Sequence, residues 1–173
     1  MARRGARGLP GGTFQALLAS REARVQARLG RRGRCENALE DARSAFAGRR
    51  EDDDPDWVYW VSSAVLAADA GRAHLDLGLP REAAADLSTG LVMFGSAQPR
   101  NRALHLTSLA QAHLLAGEVE EAATATDAAL ALARANQSRR ITERLQGLLS
   151  SFAAVPAPVA QQTAERVRTA LAA

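Results

Sequence analysis

Apolar residues recur along this chain at spacings of three and four, and no stretch alternates as a strand would. Thr13 is placed to cap a helix running to about Leu29, with Phe14, Leu17, Leu18 and Val25 on its apolar side. Gly30 to Gly33 reads as a turn. Leu39, Ala42 and Phe46 then mark a second helix over about 34–47, closed by Gly48. Glu51 to Asp56 is an acidic linker. Asp54 as cap and Pro55 at the first helical position predict a long third helix to about Leu77, with Trp57, Trp60, Ala64, Ala67 and Gly71 as its stripe. Gly78 and Pro80 introduce a helix to about Phe94, with Ala83, Leu87 and Leu91 inward. Pro99 opens the next to Ala116, and Gly117 turns into another through about Ala135. Ser138 is placed to cap a helix to Phe152. Pro156 and Pro158 break the chain, and a last helix carries Val159, Ala164, Val167 and Leu171. The reading is all-α, with about eight helices.

Two of these helical pairs are copies of one pattern. Ala70-Gly71-x-Ala73-His74-Leu75-x-Leu77-Gly78, followed by Glu82-Ala83, recurs as Leu109-Ala110-x-Ala112-His113-Leu114-x-Ala116-Gly117, followed by Glu121-Ala122. A period of this length signals stacked hairpins rather than one closed core. A hairpin that packs on its neighbours needs a small residue where its first helix crosses, which Gly71, Ala110 and Ala23 supply. It needs a turn residue tolerant of positive φ, and Gly30, Gly78 and Gly117 are placed for it. It also needs a small residue facing back from the second helix, namely Ala83, Ala122 and, less ideally, Cys35.

These positions resemble the tetratricopeptide repeat. The best match is Leu109-Ala110-x-Ala112-His113 with Glu121-Ala122 and Ala129-Leu130, where His113 takes the usual aromatic place. Gly71 to Leu91 follows, with His74 in that place. The first unit departs most, with Gln26 for the aromatic. The resemblance implies a right-handed α-α superhelix of antiparallel helices. Its expected organisation is a disordered basic lead-in over 1–12 and one helical domain over 13–173. Within that domain lie repeats at about 13–47, 57–94 and 100–135, and capping helices at 138–152 and 157–172.

Charge sharpens the picture. The net charge is +3, and every basic residue is arginine. Residues 1–50 hold 12 arginines against 4 acids, a surplus of +8, and residues 51–173 hold 10 against 15, or −5. The basic end is either a solvated helix face or a contact for nucleic acid or an acidic partner. Arginine-only usage with abundant alanine and glycine fits a GC-rich bacterial genome. One cysteine excludes an internal disulfide and suits a reducing compartment. No apolar run reaches the ~20 residues of a membrane span, and no secretory leader follows Arg3, Arg4 and Arg7, so a cytoplasmic location is expected.

A narrower resemblance rests on Ser20-Arg21-Glu22-Ala23, Cys35-Glu36-x-Ala38-Leu39, Asp54-Pro55-x-Trp57-x-Tyr59-Trp60 and Pro99-Arg100-Asn101-Arg102-Ala103. Together they are similar to the repeat region of high-GC bacterial transcriptional regulators, which carry a Cro/repressor-type (XRE-type) helix-turn-helix ahead of it. The resemblance implies regulation by a bound protein or peptide. This chain starts inside the repeats, so the expectation is a truncated reading frame, a stand-alone relic or an adaptor. Direct DNA binding is not carried over.

Candidate chemistry is sparse. His74 and His113 fill aromatic slots and His105 has no ligand-spaced partner, so no metal is expected. Cys35 sits in a small packing slot and reads as a buried structural thiol, although Arg32 and Arg34 are near in sequence. No phosphate loop, nucleophile–base pattern or cofactor motif occurs, and no enzymatic activity is expected. Trp57, Tyr59 and Trp60 read as packing of the third helix on the first unit, with a binding anchor as the alternative.

By repeat register, the concave face takes Ser20, Arg24 and Arg28, then Ala68, Arg72 and Asp76, then Thr107, Gln111 and Leu114. Arg24, Arg28, Arg72, Asp76 and Gln111 are its partner-binding candidates. Arg24 and Arg72 share a register position, so their guanidinium groups would take a carboxylate or acidic peptide. Charge reversal at Arg72 is then expected to weaken capture without unfolding the chain. The function expected is a non-enzymatic protein- or peptide-binding module of a transcriptional regulator, with homodimerisation open. The alternative is a nucleic-acid contact through the first 50 residues.

Overall fold

A computed structural model of the chain describes residues 11–50, 54–96, 98–134 and 138–172. Eight α-helices occur among the described residues, and no strand does: α1 Gly12–Arg28, α2 Arg32–Ala47, α3 Ser63–Asp76, α4 Pro80–Phe94, α5 Pro99–Ala116, α6 Val119–Arg134, α7 Arg139–Ala153 and α8 Pro158–Ala172. Among the described residues no helix is long and apolar enough to cross a membrane. The chain divides into two compact units, one up to Met93 and one from Phe94 onward.

In the first unit α1 and α2 form an antiparallel hairpin. Ala23 and Ala27 meet Cys35, Ala38 and Leu39, and Ala70 and Ala73 of α3 complete that cluster. A second cluster gathers Ala16, Leu17, Ala19 and Ala42 around Val58, Val61 and Leu66. Helices α3 and α4 are antiparallel too. A β-carbon on Gly71 would lie 2.6 Å from Leu87 Cγ and 2.9 Å from the Ala83 carbonyl, and one on Gly90 would lie 3.0 Å from the Ala64 carbonyl. Gly71 is thus a crossing point where only hydrogen fits.

In the second unit α5 pairs with α6 and α7 with α8, while α5 also packs on α7 and α6 on α8. Helix α7 buries Ile141, Leu145, Leu148 and Phe152 at spacings of four, three and four. Helix α8 answers with Ala160, Thr163, Ala164 and Val167, so Ala160 rather than Val159 faces the core.

Three turns close identically. Gly30, Gly78 and Gly117 have φ of +67°, +72° and +80°. The glycine N–H donates to Ala27, Leu75 or Leu114, three residues back, and the next N–H donates to Gln26, His74 or His113. Each closure satisfies carbonyls a helix end would leave unpaired. The expected turn at Gly30 is therefore present, but it is shorter than expected, because Arg32 and Gly33 already belong to α2.

The expected long third helix does not form. Residues Asp56–Val58 make one 3-10 turn, and α3 begins only at Ser63, with the Ser62 Oγ accepting from the Val65 N–H at 3.3 Å. Asp54 caps a different helix. Its carboxylate accepts from the backbone N–H groups of Thr13 at 3.0 Å and Phe14 at 3.3 Å, 40 residues earlier in the chain. The N-cap of α1 is Gly11, which has no side chain to offer, so Thr13 is an inner, buried residue of the first turn. Tethering Asp54 there forces the chain to turn back, and Val58 and Val61 then enter the core in place of the tryptophans. Ser138 does precede α7, though its side chain makes no capping bond. Most of the lead-in expected over 1–12, and Glu51, Asp52, Asp53 and Ala135, lie outside the described residues.

Candidate functional site

Arg21, Arg24 and Arg28 lie three and four residues apart on α1, and Asp69, Arg72 and Asp76 repeat that spacing on α3. The pairs run in step: Arg21 meets Asp69, and Arg24 and Arg28 meet Asp76, so the two helices are parallel. Asp69 is fully buried between two guanidinium groups, Arg21 with Nη1 at 2.9 Å and Arg72 in direct contact from one turn along α3. Such a carboxylate is tolerated only because both cations satisfy it. Arg24 Nη2 stands 2.8 Å from Asp76 Oδ2, and Arg28 Nε donates to the same oxygen at 3.4 Å.

Four arginines therefore share two aspartates, and the face keeps a surplus of about two positive charges. The structure brings Arg24, Arg28, Arg72 and Asp76 together on the first unit. Gln111 stands exposed on α5 in the second unit. Ser20, Ala68 and Thr107, expected on the groove face, are buried instead: Ser20 Oγ donates to the Leu17 carbonyl at 2.8 Å and Thr107 Oγ1 to that of Leu104 at 2.9 Å. Arg72 is no neutral test position, because a glutamate there would face the buried Asp69 with like charge. Sequence reasoning passed over Arg21 and Asp69. The signal available was an isolated acid inside the otherwise apolar run from Ala64 to Ala70.

The histidines are structural in setting. His74 is buried, with Nδ1 2.7 Å from Asp86 of α4 and Nε2 3.4 Å from Glu36 of α2. The hydrogen bond to Asp86 raises its pKa above the ordinary 6.5; burial opposes this, and the charges of Asp86 and Glu36 add to it. His113 Nδ1 lies 2.6 Å from Glu118, just past the same turn. His105 stacks on Phe94 with ring centroids 5.0 Å apart. Among the described residues no group of three His, Cys, Asp or Glu is placed to hold a metal ion. Cys35 is fully buried, and burial pushes its thiol pKa up, away from the reactive thiolate.

The aromatic residues depart from expectation. Trp57, Tyr59 and Trp60 lie at the surface, with Trp57 edge-on to Phe14 at 5.3 Å between centroids. No family model, curated protein or solved structure matches the chain.

Proposed function

We propose that this chain is a non-enzymatic tetratricopeptide-type module that captures an acidic protein or peptide segment on the arginine face of α1 and α3. The observation that carries this reading is the sharing of two aspartates by four arginines, which leaves cation in excess where a helical groove would run. A carboxylate arriving there meets guanidinium groups already held in place, so little side-chain entropy is lost on binding. The repeat assignment draws support from the parallel α1 and α3, from the antiparallel hairpins and from the three matching glycine closures. The regulator resemblance makes the sensor region of a cytoplasmic bacterial transcriptional regulator the fitting context.

The nucleic-acid reading has one observation in its favour, the arginine excess of the first 50 residues. Part of that excess is engaged within the fold, since Arg21, Arg24 and Arg28 meet Asp69 and Asp76, and other arginines of the segment have partners of their own. Arg32 lies 3.8 Å from Glu36, Arg43 pairs with Glu40 at 3.1 Å and Arg49 lies over the Phe46 ring. The test is fluorescence anisotropy with a labelled oligoglutamate peptide and, separately, a DNA duplex. Arg28, 71% exposed, is the position to reverse. Arg28→Glu should keep the helical circular dichroism and weaken the peptide by about two- to tenfold, as an exposed ion pair allows. Unchanged peptide binding in the variant, or duplex binding with a steep salt dependence and no peptide binding, would overturn the reading.

A further inference from the structure

Both tryptophans and the single tyrosine of this chain fall within four positions, and all three are at the surface. Tyr59 is 87% exposed, Trp57 54% and Trp60 38%. The core takes their neighbours Val58 and Val61, and although Trp57 meets Phe14 edge-on, a large part of each ring, and nearly all of Tyr59, is left uncovered. Clustered exposed aromatics mark interaction surfaces, because large rigid rings supply contact area at little entropic cost.

Beside them opens a cavity of about 470 Å³ lined by Tyr59, Phe46 and Val58 together with Asp54 and Asp56. Asp54 accepts from the backbone N–H groups at the head of α1, and Asp56 is exposed. One guanidinium already uses this environment: Arg49, which also lines the cavity, lies 3.9 Å over the Phe46 ring and donates to the Phe46 carbonyl at 2.9 Å.

We propose that the turn from Asp54 to Trp60 docks a cationic, arginine- or lysine-bearing segment of a partner protein. A guanidinium would lie over an exposed ring of Trp57, Tyr59 or Trp60 and pair with Asp56. Charge selects this occupant. Ring faces are electron-rich, and the two carboxylates outnumber the one guanidinium, Arg49, that shares the cavity, so a cationic segment is favoured over an acidic one here. The surface is separate from the arginine face of α1 and α3 and does not depend on what that face binds.

Because both tryptophans belong to this turn, intrinsic emission reports on it alone. The full chain is titrated with a synthetic arginine–glycine hexapeptide, with a glutamate–glycine hexapeptide in parallel. The arginine peptide should change the emission saturably and the glutamate peptide should not. Tyr59→Ala and Asp56→Asn, both at exposed positions, should each weaken the response by about two- to fivefold with unchanged circular dichroism. The proposal is overturned by no saturable change, by an equal response to both peptides, or by undiminished affinity in both variants. Emission that shifts with protein concentration alone, the mark of a second copy covering the rings, also overturns it.

Discussion

A β-carbon at Gly71 would overlap Leu87 Cγ and the Ala83 carbonyl, whereas one at Gly147 of α7 would meet nothing within 4 Å. The two glycines therefore call for opposite outcomes. Gly71→Val should destabilise by about 1–3 kcal/mol through overpacking, and Gly147→Ala should stabilise by about 0.5–1 kcal/mol through helix propensity. Urea denaturation checks both. His74 makes a separate prediction. Both ring nitrogens face carboxylates, and the folded pKa is raised, so the protonated ring favours the native state. The charged groups facing it are Asp86 from α4 and Glu36 from α2, with Arg32 on the far side of Glu36. This stabilisation is fully present below the unfolded pKa of about 6.5 and is lost as pH rises through the raised folded value. Melting temperature should therefore fall as pH rises above about 6.5, more in the wild type than in His74→Gln. Parallel curves for the two proteins would refute it.

At the scale of elements, what was legible from sequence was what lies within one hairpin. Gly71, Ala83, Ala110 and Ala122 are buried as their spacing required, and Gly30, Gly78 and Gly117 take the left-handed turn. These constraints act over fewer than about 15 residues, so a local pattern carries them. The third helix was misread for the opposite reason. Asp54 and Pro55 form a sound local start signal, but the carboxylate is recruited by two N–H groups at the head of α1. No local rule identifies a cap 40 residues away. Asp54→Ala should accordingly unravel the start of α1, costing about 0.5–2 kcal/mol. Hydrogen exchange should show the loss of protection at Thr13 and Phe14 rather than at Trp57, which is the readout that separates the two cap assignments.

Over the whole molecule, the candidate site was half visible. Register picked out Arg24, Arg28, Arg72 and Asp76, yet the pairing of Arg24 and Arg28 with Asp76 spans 52 and 48 residues, and pairing at that range leaves no trace in spacing. The consequence is that the arginines are not bare: Asp76 already competes for Arg24 and Arg28. That competition gives the most direct measurement of the central claim, the affinity of an oligoglutamate peptide for the Asp76→Asn chain. Losing an exposed ion pair costs the fold roughly 1 kcal/mol or less, and it releases two guanidinium groups. The peptide should bind the variant about two- to tenfold more tightly than the wild type, with a steeper loss on adding salt. Equal or weaker binding would mean that the arginine face of α1 and α3 is a closed internal network and not a receptor for carboxylates.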